Sequence, residues 1–208
     1  MQNTPRTARG RDSRDRIVAA AAELMATGGV EGTSIDAVLA AAGASKSQLY
    51  HYFTDRQGLI RAVIAHQTEV VVDAQSARLA RVGTWPELRR WLEEIVEFQQ
   101  DHECRVGCPI GSIAAEVAGH DDDARHDLAV SFGRWRDDLA AVFRRMRDSG
   151  EVHAGADPDQ LAITTLATVQ GALLLGKVHR TAEPLRVTLD TLHRWLRAEA
   201  APPHENDR

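Results

Sequence analysis

Cysteine, aromatic side chains and long apolar runs are all scarce in this chain of 208 residues. Two cysteines, Cys104 and Cys108, cannot supply a disulfide framework, so a reducing cytosol is the default compartment. Aromatic residues amount to 5% against a hydrophobic share of 43%, so any core is mainly aliphatic. The longest uncharged stretch, Gln160–Gly176, includes three threonines. It falls short of the roughly 20 predominantly apolar residues of a membrane span and reads as a buried helix of a soluble, cytoplasmic protein without a membrane partner. The apolar run Ile17–Ala22 follows arginines, as in a signal peptide, but Glu23 interrupts it and its period is helical. No segment alternates like a strand. A Gly-rich phosphate loop, a nucleophile elbow, a His-Glu-x-x-His pair and a Ser/His/Asp constellation are all missing, so an enzyme is not expected.

Charge is what the chain has, unevenly. The net charge is −5, yet residues 1–60 hold seven Lys and Arg against six Asp and Glu, and the rest eighteen against twenty-four. Arg6, Arg9, Arg11, Arg14 and Arg16 crowd the first sixteen residues. A basic arm on an acidic body suits a protein that touches phosphates at one end only.

Period and punctuation predict about nine helices and an all-α fold. The first spans about Ser13–Thr27 and stops at Gly28-Gly29; the second runs from a Ser34 cap to Ala42. After the Gly43-Ala44 turn a third opens at Ser45, with Gln48 completing a capping-box pattern. A long fourth is expected from Asp55 to about Arg81, and a fifth from Thr84-Trp85-Pro86. A sixth is expected near Ser112–Ala118, a seventh over Asp122–Asp148, and an eighth and ninth behind Pro158 and Pro184.

Two short helices around a Gly turn, residues 33–56, form a helix-turn-helix pattern. In that motif the second helix enters the major groove and its N-terminal residues reach base edges. The side chains expected to be exposed there are Lys46, Ser47, Gln48, Tyr50, His51 and Tyr52. Lys donates to guanine, Gln pairs with adenine, and Ser or Tyr serves bases or phosphates.

The run Ser45-Lys46-Ser47-Gln48-Leu49-Tyr50-His51-Tyr52-Phe53, with Gly28-Gly29 and Gly32-Thr33-Ser34 before it, closely resembles the recognition-helix signature of the TetR family of transcriptional regulators. The resemblance implies an N-terminal three-helix DNA-binding domain and a C-terminal helical ligand-binding and dimerisation domain. It implies base contacts from Lys46, Ser47, Gln48 and Tyr50, and phosphate contacts from Ser34, Ser45, His51, Tyr52 and Arg56. Domain limits follow: a disordered basic arm over 1–12, a DNA-binding domain over 13–58, a ligand-binding and dimerisation domain over 59–200, and a disordered tail over 201–208. The family's habit is a repressor that binds double-stranded palindromic DNA as a homodimer. Gly107-Cys108-Pro109-Ile110-Gly111 also resembles a turn of its LmrA/YxaF-like branch, which includes repressors of efflux and detoxification genes.

The dimer is expected through the eighth and ninth helices. Ala167, Gly171, Ala172 and Gly176 would admit a partner helix, beside Leu185, Leu189, Leu192, Trp195 and Leu196. A small apolar or aromatic effector is expected among Trp91, Phe98, Phe132, Trp135, Phe143 and Met146, with Gln99, Gln170 or His102 as polar anchors. Such stripes also build ordinary core. Cys104 and Cys108 stand Cys-x3-Cys, which is not a zinc spacing, so neither metal nor cofactor is expected.

Overall fold

The computed structural model describes residues 7–201, and the regular structure among them is helical, with no strand. In chain order the helices are α1 (Ala8–Gly28), α2 (Ile35–Ala42), α3 (Lys46–Tyr52), α4 (Arg56–Gln67), a π turn (Thr68–Asp73) and α5 (Ala74–Leu79), followed by α6 (Trp85–Asp101), α7 (Pro109–Val117), α8 (Asp122–Asp148), α9 (Pro158–His179) and α10 (Glu183–Glu199). They make two compact units. One runs to Val72 and takes in Pro109–Ser131; the other holds Asp73–Cys108 and everything from Phe132 on.

In the first unit α1 buries Ile17, Val18, Ala21, Ala22 and Met25. It starts at Ala8, where the hydroxyl of Thr7 accepts from the backbone of Gly10, so residues 8–12 are helical and not part of a disordered arm. Residues 1–6 and 202–208, assigned from sequence to the arm and the tail, lie outside the described residues. Gly32 sits where a Cβ would come within 2.3 Å of the Gly28 carbonyl oxygen, so the chain can fold back there only without a side chain. Gly43 closes α2 in the left-handed region at φ 59°.

The expected single fourth helix is broken. Its π turn opens at Thr68, whose hydroxyl bonds the Ile64 carbonyl at 2.7 Å and the Ser131 hydroxyl at 2.7 Å. Those bonds compete with the α ladder at that point. The same unit takes in α7, because Glu116 accepts from the backbone N–H of Glu31 at 3.0 Å, and the start of α8, where Asp127 receives Arg61 Nε at 2.7 Å.

In the second unit α10 packs on α9 and α6. Arg145 donates to the carbonyls of Leu79 and Val82, satisfying the end of α5. Gln99, itself buried, closes a ring with both backbone groups of Gly107 at 3.1 Å each. At 22 residues α9 is long and apolar enough, by those two measures alone, to cross a bilayer; its inner face is buried. That face meets its own chain: a Cβ on Gly176 would stand 2.2 Å from Leu185 Cδ1. Gly176, Ala172, Leu185, Leu189, Leu192 and Leu196 are therefore core within one subunit, not surfaces for a partner as the sequence suggested.

Candidate nucleic-acid interface

Helix α3 is short, and its geometry is set by its caps. The Ser45 hydroxyl accepts from Gln48 N at 3.2 Å, and Gln48 Oε1 accepts from Ser45 N at 2.8 Å. That reciprocal box satisfies two of the donors left open at a helix start. Leu49, Tyr52 and Phe53 are buried beneath the helix. At about 100° per residue, Lys46, Ser47, Tyr50 and His51 fall on the opposite face, and all four are exposed. This face offers an ammonium, two hydroxyls and an imidazole, a set suited to guanine, phosphate and thymine edges.

Two expected contacts change character. Tyr52 is only 7% exposed, its ring edge-on to His51 and Phe53, so it supports the face from behind instead of lying on it. Arg56, expected on a phosphate, donates Nη1 to the Thr33 carbonyl at 2.6 Å and Nη2 to the Val30 carbonyl. It thereby ties the start of α4 to the loop before α2. Gln48 is exposed, but its carbonyl oxygen belongs to the capping box, which leaves the Nε2 donors for a base. Ser34 caps α2 through Ala37 N at 3.1 Å. Sequence reasoning missed Arg14, whose guanidinium lies 5.6 Å over the Phe53 ring at the end of α3. Its signal, an arginine on the first helix, was present, but it was counted with the basic arm and not matched to Phe53 at the end of α3.

The residues expected to hold an effector differ widely in burial, and of them Trp91 lines one of the two grooves described below. Phe143 and Met146 are fully buried, and Trp91 nearly so, with its indole N–H on Gln75 Oε1 at 2.8 Å. Phe98 and His102 stack on each other in the open, ring centroids 4.2 Å apart. A groove of about 350 Å³ between α6 and α10 is floored by Leu92, Val96, Leu189 and His193, none of them expected there. Another of about 380 Å³ between α5 and α6 includes Trp91 among Arg78, Arg81 and Arg90. Phe132 is half-buried. Trp135 Nε1 and Gln170 Nε2 are buried donors without a partner among the described residues, which is uncommon for such groups. Cys104 and Cys108 are buried and not joined in a disulfide, and among the described residues no three His, Cys, Asp or Glu gather as metal ligands.

Residues 17–63 match the family of bacterial regulatory proteins of tetR type, and residues 84–192 match the tetracyclin repressor-like C-terminal domain. The HTH-type transcriptional regulator Rv0196 of Mycobacterium tuberculosis is 30% identical over 88% of this chain and 92% of its own. The transcriptional regulator AcuR of Cereibacter sphaeroides is 29% identical over 81% of this chain and 78% of its own. In structure, a regulatory protein TetR from Rhodobacter sphaeroides superposes with a TM-score of 0.79 at 26% identity, over 88% of this chain and 97% of that one. By name, all three are transcriptional or regulatory proteins. The exposed face of α3, the helical fold and both family matches agree: the chain belongs to the TetR family of transcriptional regulators.

Proposed function

We propose that the protein is a cytoplasmic repressor that binds a palindromic operator as a homodimer, reads it with α3 of each subunit, and is released by a small effector. One observation carries the DNA half: Lys46, Ser47, Tyr50 and His51 share the outward face of a rigidly capped helix that follows a glycine turn. Lys46, Ser47 and Tyr50 are the base readers, Gln48 adds a donor from the edge, and His51, Ser34 and Ser45 approach phosphates. The dimer reading is supported by exposed apolar side chains. Of ten large ones among the described residues, Ile163, Leu174, Leu175 and Val178 lie on α9, and Val187 and Trp195 on α10. With Ala167 and Gly171 they recur at helical spacing along one side of each helix. The effector reading is supported by the match of residues 84–192 to the tetracyclin repressor-like C-terminal domain, in which the orphan donors of Trp135 and Gln170 would suit an acceptor oxygen.

Selection from random duplexes tests the DNA half. The wild-type protein should enrich a two-fold palindrome whose half-sites are about 34–36 Å, one helical turn, apart or multiples of it. Lys46→Ala should weaken binding to that palindrome by about 1–3 kcal/mol while sparing unrelated DNA. If no sequence is enriched over the starting pool, the protein is not an operator-binding repressor.

A further inference from the structure

We propose that Arg11, on the first turns of α1, is a second DNA-contact point outside the helix-turn-helix, gripping the phosphate backbone beside the end of α3. The inference rests on the operator-binding reading above and adds to it a residue, a face and a contact. The starting observation is the position of Arg14. Its guanidinium covers the ring of Phe53, the residue that ends α3, two residues after the exposed His51. That contact fixes which side of α1 faces the recognition helix. An α-helix turns about 100° per residue, so Arg11 lies about 60° round from Arg14 on that same side, one turn nearer the N-terminus. Arg9 and Arg16 lie about 140° and 160° away from Arg14, on the far side.

Arg11 is exposed, and its guanidinium has no ion pair or hydrogen bond among the described residues. Arg14, by contrast, is engaged with Phe53 and with Asp15 at 3.5 Å. A free guanidinium one turn beyond the contact at the end of α3 is within a side chain's reach of the sugar-phosphate rail that borders the groove α3 would enter, and its fork suits a phosphate. It carries no base information, so it should strengthen every sequence alike. The other arginines of the segment give the proposal its control, since equal charge on the far side of the helix should do nothing.

The measurement is operator affinity of the full-length protein against salt concentration, for wild type and for Arg11→Ala, Arg11→Lys, Arg9→Ala and Arg16→Ala. Each phosphate contact contributes about 0.9 to the slope of log K on log salt, so losing one per subunit should flatten a dimer's slope by about 1.8. Arg11→Ala should show that flattening and a lower affinity for operator and random DNA alike. Arg11→Lys should keep most of the slope, and Arg9→Ala and Arg16→Ala should keep all of it. Circular dichroism of all four variants should match wild type, because each position is exposed. An unchanged slope for Arg11→Ala overturns the assignment while leaving the recognition helix in place. Equal flattening by Arg9→Ala overturns it as well, since diffuse charge would then explain the effect. If wild type itself prefers no sequence, the operator reading falls and takes this contact with it.

Discussion

Two backbone carbonyls, those of Val30 and Thr33, are held by the single guanidinium of Arg56 in a partly buried setting. Removing the side chain would leave both acceptors short of a partner, at a cost of about 1–3 kcal/mol. The role is architectural, because the loop it anchors leads straight into the Ser34 cap and α2. Arg56→Ala should therefore lower the melting temperature and weaken operator binding only as the DNA-binding unit loosens. Its salt slope should stay that of wild type; a drop near 0.9 per subunit would restore the phosphate contact suggested by sequence. Gln48 shows a related division within one side chain. Its carbonyl end serves the helix and its amide end is free for DNA, which residue type alone could not apportion.

Helix caps are where sequence speaks most plainly about elements, because they need a named side chain at a fixed offset. The Thr84–Glu87 box at the head of α6 is one case. Glu87 Oε2 accepts from Gly83 N at 2.8 Å and from Thr84 N at 3.0 Å. The hydrogen bond from the backbone of Gly83 is the main reason its carboxyl lies below the ordinary range, with Thr84 next. A carboxyl lowered by folding adds stability above its unfolded pKa, and that stability is lost as pH falls through the folded value. Wild type should thus melt above Glu87→Gln at neutral pH, and the gap should close below about pH 4. A gap that does not vary with pH would mean that charge has no part in it. Ser34, Thr84, Asp157-Pro158 and both limits of α8 were legible in this way. The early start of α1 and the π turn were not. One lacks an apolar period in its first turn, and the other depends on Ser131, 63 residues from Thr68. The burial of the aromatic side chains was least legible, because an aromatic stripe looks the same whether it fills a core, as Phe143 does, or lies open, as Phe98 does.

For the molecule as a whole, α10 presents two apolar stripes at the same helical period. Leu185, Leu189, Leu192 and Leu196 are buried by the subunit itself, while Val187 and Trp195 remain exposed. Periodicity cannot say which stripe meets which neighbour, so the sequence merged the two, setting exposed Trp195 beside buried Leu185, Leu189, Leu192 and Leu196. Burial in a single subunit separates them, and the distinction can be measured. Leu174 is 62% exposed and Leu189 3%. An aspartate at Leu189 would put an unpaired charge in the core and should unfold the chain. At Leu174 it should cost the isolated subunit almost nothing, yet it would bury that charge between two copies of α9. Leu174→Asp should therefore keep its helical content and its melting transition at low protein concentration while scattering light as a monomer. It should also lose operator affinity by about a hundredfold or more, because two linked half-site contacts become one. Non-specific binding, which needs only one positively charged face, should fall far less. A Leu174→Asp protein that remains dimeric would place the interface elsewhere, and a monomeric wild type would leave the exposed stripe of α9 with no partner in a second copy.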